Sequence, residues 1–177
     1  MPNRPDREVQ CEGLLQALPP ETEPVCDSRG DVKNKIFVCI RGAHHDGHAD
    51  AAEVLRRGAA AIVTQRKTGL PREITVPDTR LAMALLSARY WGNPAGELRL
   101  IGITGTNGKT TTAHLLCHLL HSAGIKTGRI GTDGIYRGGR RLPNPYTTPP
   151  PDLLHRPLRQ MAGDGITAVV MEVSSQA

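Results

Sequence analysis

The feature that most constrains the fold is a glycine-rich loop between an apolar run and a helical stretch. Residues 98–104 are predicted to form a strand, and residues 109–123 a helix that ends at Gly124. The loop reads Gly105-Thr106-Asn107-Gly108-Lys109-Thr110-Thr111. Backbone N–H groups in such a loop, together with the dipole of the following helix, favour phosphate oxygens. The segment therefore predicts a site that holds the polyphosphate of ATP.

Three side chains extend this prediction to magnesium. Lys109 can neutralise the outer phosphates and is the candidate catalytic residue, while the Thr110 hydroxyl can coordinate Mg²⁺. The apolar run 167–171 ends at Glu172, and a carboxylate at the carboxyl end of a parallel strand lies beside a phosphate loop. The alternatives are an ordinary glycine-rich turn, and a carboxylate that caps a nearby helix or faces water.

Apolar runs and helical stretches alternate along the chain and predict two α/β blocks. A polar lead-in covers residues 1–24, the first block residues 25–94 and the second residues 97–177. The predicted strands are 36–40, 59–63, 73–76, 98–104, 126–130 and 167–173. The predicted helices are 50–57, 79–91, 109–123 and 152–161. In helix 109–123 the apolar face consists of Leu115, Leu116, Leu119, Leu120 and Ala123. The second block has only three clear strands, so we expect an incomplete parallel sheet from a larger protein.

Composition narrows the class of partner. The net charge is +5, but the basic residues are scattered and the one Trp, three Tyr and one Phe are not interleaved with them. This argues against a nucleic-acid partner and fits an anionic small molecule. No apolar run is long enough to span a membrane, and the first residues do not resemble a secretory signal, so a cytoplasmic protein is expected. The widely spaced cysteines Cys11, Cys26, Cys39 and Cys117 are predicted to be free thiols.

Several shorter patterns are less specific. His114, His118 and His121 share one helix face, which a metal could use, but a solvated polar face is favoured. His44, His45 and His48 lie in a glycine-containing loop, where ligand contact or solvent exposure is expected. The sequence Asp27-Ser28-Arg29 is compatible with a turn that pairs its own charges. Thr147-Thr148-Pro149 offers two hydroxyls in a rigid loop, although such turns are common.

Taken together, these motifs resemble the Mur ligases, which build the peptide of bacterial peptidoglycan. The spacing of Gly102, Gly105 and Gly108 departs from the usual G-x-x-x-x-G-K-[ST] pattern and is similar to the ATP loop of that family. The resemblance extends from Cys26 to Ala177 and is strongest to members that add a diamino acid to UDP-N-acetylmuramoyl-L-alanyl-D-glutamate. The further motifs are Asp27-Ser28-Arg29, Asp46-Gly47-His48, Val76-Pro77-Asp78-Thr79-Arg80, Gly92-Asn93-Pro94, Thr147-Thr148-Pro149 and Met171-Glu172-Val173-Ser174-Ser175.

The resemblance implies a fold and a set of site residues. The fold would be α/β, with a small N-terminal UDP-binding domain before the first part of a P-loop-type ATPase domain, truncated and without the family's C-terminal domain. The loop residues 105–111 would hold ATP, and Thr110 and Glu172 would hold Mg²⁺. The implied substrate contacts are Cys26, Ser28, Ala43, His44 and His45 for the nucleotide part, and Thr147, Thr148 and Ser174 for the muramoyl-peptide.

The implied reaction is phosphorylation of the substrate's glutamate carboxylate by ATP, followed by attack of the diamino acid's amine. The partners would be UDP-N-acetylmuramoyl-dipeptide and a diamino acid, either diaminopimelate or lysine. A chain of this extent is expected to be inactive alone. Two alternatives stay open: a catalytically dead remnant that binds a nucleotide or UDP-sugar, and another amide ligase with the same loop, of the folylpolyglutamate or cyanophycin type.

Overall fold

Each half of the chain builds its own sheet. The computed structural model describes residues 4–42 and 45–174, and the chain divides into two units, Met1–Tyr90 and Trp91–Ala177. The predicted α/β class is confirmed in both units. None of the described helices is long and apolar enough to cross a membrane.

The first unit contains a four-stranded parallel sheet in the order β1-β2-β3-β4. Its central strands are buried along their whole length, as parallel strands covered on both faces require. Ile36 and Val38 face the cluster that also takes in the helix after β4, whereas Phe37 faces the cluster around Val54. The strands are β1 (Pro24–Val25), β2 (Ile36–Val38), β3 (Ala61–Thr64) and β4 (Glu73–Thr75), and the helices are α1 (Arg4–Leu15), α2 (Ala51–Arg56) and α3 (Thr79–Tyr90).

Helix α1 was not predicted from the sequence, which suggested only a polar lead-in over residues 1–24. The helix contributes Cys11 and Leu15 to the core, where both are almost completely buried. Its remaining side chains are mostly polar and exposed. A narrow apolar stripe of this kind is hard to recognise by periodicity, because too few apolar positions define the helical face.

The second unit contains a five-stranded mixed sheet in the order β5-β9-β6-β7-β8. Strands β5, β9 and β6 are parallel, while β7 and β8 form an antiparallel hairpin that continues from β6. From sequence, residues 137–141 are predicted to form a turn or a hairpin, and the structure has the hairpin, formed by β7 and β8. The strands are β5 (Arg99–Ile103), β6 (Thr127–Gly131), β7 (Gly134–Arg137), β8 (Arg140–Leu142) and β9 (Ala168–Glu172).

Two helices connect the parallel strands of this sheet. Helix α5 (Pro151–Gly163) packs Leu158 and Met161 into the core, and it continues through Pro157, although a proline inside a helix removes a backbone hydrogen bond. Helix α4 (Lys109–Ser122) begins directly at the glycine-rich loop. The predicted leucine face of α4 is not a buried face, since Leu115 is 58% and Leu119 is 56% exposed and only Ala113 is buried.

Candidate functional site

The glycine-rich loop lies between the end of β5 and the start of α4, as the sequence predicted. Gly105 has a φ of 145° and Gly108 a φ of 77°, values that favour glycine because they lie in the region that L side chains rarely adopt. Gly108 is the residue immediately before the first turn of α4. The loop residues 104–108 are all exposed. An anion can therefore approach the loop backbone and the N-terminus of α4 together.

Lys109 lies over this loop. Its Nζ donates a hydrogen bond to the carbonyl oxygen of Gly105 at 2.8 Å and lies 3.5 Å from that of Thr106. The contacts of the ammonium group within the described residues 4–42 and 45–174 are these exposed backbone carbonyls. A lysine in this position can exchange those carbonyl oxygens for phosphate oxygens without losing an ion pair.

Thr110 and Glu172 meet at the other side of the loop. Ile103 and Glu172 are register partners in the neighbouring strands β5 and β9, so the carboxylate lies level with the point where the loop begins. The Thr110 hydroxyl donates to Glu172 Oε2 at 3.0 Å. Glu172 is 1% exposed. The two residues that the sequence proposed for Mg²⁺ are therefore in direct contact.

Two further groups approach the same carboxylate, and sequence reasoning missed both. The backbone N–H of Thr132 donates to Glu172 Oε1 at 3.2 Å, and the Thr132 hydroxyl donates to Oε2 at 3.1 Å. Arg129 Nη1 lies 4.0 Å from Oε1. Both residues belong to β6 or the turn after it, beside β9. Knowledge that β6 is the neighbour of β9 would have identified them, but the sequence does not specify strand order.

Gly131 leaves the space that Glu172 occupies. A Cβ atom at this position would lie 2.1 Å from Glu172 Oε1. The backbone here can approach the carboxylate only without a side chain. The conformation of Glu172 thus depends on a glycine in the neighbouring strand.

The threonine pair that the sequence proposed for substrate binding lies at this carboxylate as well. Thr147 and Thr132 have their hydroxyl oxygens 3.1 Å apart, and the Thr148 hydroxyl donates to the backbone carbonyl of Glu172 at 2.9 Å. The N–H of Ser174 donates to the Thr148 hydroxyl at 2.9 Å. Residues separated by more than 60 positions in the chain therefore form one continuous polar cluster with Thr110 and Glu172.

This cluster fits a magnesium ion that is held with few protein ligands. The hydroxyl of Thr110 and the carboxylate of Glu172 are oxygen donors, which Mg²⁺ prefers, and the ion usually completes its coordination with water and phosphate oxygens. Among the described residues, no group of three or more His, Cys, Asp and Glu side chains could form a metal cage. His114, one of the three histidines on α4, instead contacts Asp133 through Nε2 at 3.0 Å.

The substrate residues predicted in the first unit form a separate group. Ser28 and His45 both contact Asp50, a residue that sequence reasoning missed; His45 Nε2 lies 2.7 Å from Asp50 Oδ2. The hydrogen bond from Ser28 lowers the pKa of Asp50, with a smaller contribution from His45, while partial burial opposes the shift. Cys26 is partly buried against the apolar core. Ala43 and His44 lie outside the described residues.

The turn at Asp27-Ser28-Arg29 pairs its own charges, in agreement with the sequence interpretation given above. The backbone N–H and the guanidinium of Arg29 donate to the Asp27 carboxylate at 2.9 to 3.0 Å. These hydrogen bonds lower the pKa of Asp27 to about 2. Because both side chains are more than half exposed, solvent screening leaves the pair with little effect on stability.

Comparison with known proteins identifies the chain's relatives. Residues 103–177 match the Mur ligase middle domain. A protein of Geobacillus thermodenitrificans named UDP-N-acetylmuramoyl-L-alanyl-D-glutamate–2,6-diaminopimelate ligase is 44% identical over 85% of this chain and 31% of its own length. One of the same name from Clostridium perfringens is 40% identical over 85% of this chain and 32% of its own length.

The fold leads to the same relatives. A solved structure of UDP-N-acetylmuramoyl-L-alanyl-D-glutamate–2,6-diaminopimelate ligase matches with a TM-score of 0.69 and 28% identity, over 87% of this chain and 32% of that one. The resemblance to the Mur ligases drawn from the motifs is confirmed. The chain spans about a third of the length of the relatives it matches.

Proposed function

We propose that this chain, whose residues 103–177 match a Mur ligase middle domain, supplies the ATP-binding part of a ligase for peptidoglycan precursors. That ligase would add a diamino acid to UDP-N-acetylmuramoyl-L-alanyl-D-glutamate. The observation that carries the proposal is the 3.0 Å contact between Thr110 and Glu172 at an exposed glycine-rich loop. Relatives at 40–44% identity that are named as ligases for this substrate and diaminopimelate support the choice of substrate.

In this proposal each part of the site has one task. The backbone N–H groups of residues 105–108 and the N-terminus of α4 bind the phosphates, and Lys109 neutralises charge that develops on the outer phosphates. Thr110 and Glu172 hold Mg²⁺, which supplies further charge neutralisation when bound. Catalysis in such a site rests on positioning and electrostatics, because the protein itself forms no covalent bond with the phosphate.

The threonine pair would bind the substrate that receives the phosphate. A carboxylate oxygen of the muramoyl-peptide attacks the γ-phosphorus of ATP, and ADP leaves. The amine of the diamino acid then attacks the acyl carbon, phosphate leaves, and the amine loses a proton as the amide forms. Thr148 contacts the Glu172 carbonyl and Ser174, and Thr147 contacts Thr132, which supports a peptide site adjoining the residues that would hold Mg²⁺.

A second candidate function is nucleotide or UDP-sugar binding without ligation. It rests on the same exposed loop with Lys109, Thr110 and Glu172, because these residues could hold a nucleotide without any ligation step. The two candidates differ in turnover and share ATP binding. The remaining alternative, a folylpolyglutamate or cyanophycin-type ligase, is less favoured because the relatives described above carry the muramoyl-peptide ligase name.

Calorimetric titration of the purified chain with ATP tests the proposal. We expect saturable ATP binding that strengthens with Mg²⁺ and is lost in Lys109→Ala. Lys126→Ala is a matched control, because Lys126 is an exposed lysine of the same unit outside the loop. A parallel titration with UDP-N-acetylmuramoyl-dipeptide tests substrate recognition. A folded chain that binds neither ligand would contradict the proposal, and phosphate release that depends on both would favour ligation over binding alone.

A further inference from the structure

A buried arginine lies between two carboxylates next to the proposed metal site. Arg129 is 3% exposed. Its Nη1 and Nη2 donate to the two oxygens of Asp133 at 2.6 and 2.7 Å, in a bidentate pair. The same Nη1 is 4.0 Å from Glu172 Oε1, which is ion-pair distance without a hydrogen bond. The guanidinium is thus hydrogen-bonded to Asp133 and not to Glu172.

Asp133 is itself held in place from two other directions. The Tyr136 hydroxyl donates to Asp133 Oδ2 at 2.9 Å, and His114 Nε2 lies 3.0 Å from the same oxygen. The guanidinium carbon of Arg129 lies 4.1 Å from the centroid of the Tyr136 ring, which adds a cation–π contact. Strand β7 and helix α4 therefore fix Asp133, and Asp133 fixes Arg129.

This arrangement matters because the two carboxylate oxygens of Glu172 can accept only a limited number of donors and metal ions. A buried carboxylate needs a compensating positive charge, and Arg129 supplies one at 4.0 Å. A guanidinium that moved closer would form a bidentate pair with Glu172 and occupy the oxygens that a metal needs. The bidentate pair with Asp133 prevents that approach and keeps the positive charge near.

We propose that Asp133 is a positioning residue that holds the guanidinium of Arg129 away from Glu172, so that Glu172 stays available to Thr110 and Mg²⁺. The inference rests on the proposed function, because it takes Glu172 as a magnesium ligand. It adds a pair of residues, Arg129 and Asp133, that tune metal affinity through the environment of Glu172.

The test measures the Mg²⁺ concentration that gives half-maximal ATP binding by the purified chain, for the parent chain and for variants. Asp133→Asn frees Arg129 to pair with Glu172, and we expect the required Mg²⁺ concentration to rise about 10-fold or more, as for other partners of metal ligands. ATP binding in EDTA should stay within about twofold of the parent. The double variant Arg129→Leu/Asp133→Asn removes the competing cation and should return the Mg²⁺ requirement to within about threefold of the parent.

Two controls separate positioning from other effects. Asp164→Asn removes a carboxylate that pairs with Arg137 in the same unit, and it should leave the Mg²⁺ requirement unchanged. The Asp133→Asn effect should persist at roughly 1 M salt, where the Debye length is about 3 Å, since it arises from a buried contact and not from long-range charge. Circular dichroism checks that each variant folds.

The outcomes are decisive in either direction. A folded Asp133→Asn with an unchanged Mg²⁺ requirement would overturn the inference, as would a double variant that is weaker than Asp133→Asn alone. Tyr136→Phe, which removes one support of Asp133, provides the second measurement where Asp133→Asn does not fold: a smaller rise is expected, and no change would overturn the inference. A parent chain that binds ATP without any response to Mg²⁺ retains ATP binding but rejects Glu172 as a metal ligand, and the inference falls with it. A parent chain that binds no ATP rejects the proposed function itself.

Discussion

Ile103 and Glu172 are register partners, and each is the last residue of its strand. This pairing brings the carboxylate of β9 level with the start of the glycine-rich loop, and the Thr110 hydroxyl completes the contact at 3.0 Å. The candidate magnesium site is therefore a product of strand register. A shift by one residue would turn the Glu172 side chain to the opposite face of the sheet.

Removal of the Glu172 charge is expected to uncouple ATP binding from magnesium. In Glu172→Gln, the side chain keeps its size and still accepts from Thr110, but it no longer attracts the cation. We expect ATP binding in the presence of Mg²⁺ to weaken about 10-fold or more, equivalent to about 1.4 kcal/mol, while binding in EDTA changes little. Calorimetry with and without Mg²⁺ provides the measurement. An unchanged response to Mg²⁺ would contradict the role assigned to Glu172.

A methyl group at Gly131 is expected to be costly. The new Cβ would lie 2.1 Å from Glu172 Oε1, so either the strand or the carboxylate must move. We predict that Gly131→Ala lowers the free energy of unfolding by about 1–3 kcal/mol and also weakens Mg²⁺-dependent ATP binding. Urea denaturation measures the first effect. Gly163→Ala is the control, because, apart from its own helix, no described residue has an atom within 4 Å of the added methyl group, and equal losses in the two variants would refute the steric explanation.

Loss of the Thr132 hydroxyl is expected to affect metal and substrate together. Thr132→Val keeps the shape and the backbone N–H bond to Glu172, but it removes the hydroxyl contacts to Glu172 and Thr147. We expect about 3- to 10-fold weaker Mg²⁺-dependent ATP binding, in line with the loss of a hydrogen bond to a charged group. The affinity for UDP-N-acetylmuramoyl-dipeptide should fall as well. Thr167→Val, at an exposed threonine whose hydroxyl lies 3.5 Å from the backbone carbonyl of Lys126, should leave both affinities unchanged.

Ionised Glu73 is expected to stabilise the first unit at neutral pH and to lose this effect at acidic pH. Partial burial raises the pKa of Glu73, but hydrogen bonds from Thr64, Thr68 and Gly69 outweigh it and hold that pKa below its usual value of 4.5. A lowered folded-state pKa stabilises the protein above the unfolded-state value, and that contribution is lost as the pH falls through the folded-state pKa. Glu73→Gln should therefore cost about 1–2 kcal/mol at pH 7 and less at acidic pH. Urea denaturation of both proteins from neutral to acidic pH provides the measurement. A cost of Glu73→Gln that does not shrink on acidification would refute the linkage.

Leucines on the two helices of the second unit are expected to differ sharply in what they contribute to the free energy of unfolding. Leu158 of α5 is 1% exposed in the core, so Leu158→Ala should cost about 2–5 kcal/mol. Leu115 of α4 is 58% exposed, so Leu115→Ala should change the free energy of unfolding by no more than about 0.5 kcal/mol. Urea denaturation of both variants compares them. A large cost at Leu115 would mean that α4 is packed in solution against a surface not seen in this unit.

Much of the fold was predictable from local pattern, but with characteristic gaps. The alternation of apolar runs and helical stretches predicted β2, β3, β4, β5, β6, β9 and the four later helices to within a few residues of their observed bounds. Helix α1 was missed because only Cys11 and Leu15 mark its buried face. The prediction that the leucines of α4 form a buried face was wrong, because periodicity defines an apolar face, whereas burial depends on what packs against that face.

The candidate site shows the same division. The loop, Lys109, Thr110, Glu172 and the threonine pair were all proposed from sequence, since each belongs to a short local motif. Thr132, Arg129 and Asp133 were not, because their importance comes only from the position of β6 beside β9. Whether the proposed residues bind ATP, Mg²⁺ and substrate stays a prediction for the titrations described above.

By itself the sequence determined the position of the glycine-rich loop, the α/β class and the resemblance to the Mur ligases, because each depends on residue types at fixed short spacings. Only the tertiary structure decided which strand lies next to which. Strand order places the carboxyl ends of β5, β9 and β6 side by side, which brings Thr110, Glu172 and Thr132 into contact and holds Arg129 between two carboxylates. The physical reason is that hydrogen-bonded register and burial act across long separations in the chain, where local pattern carries no information.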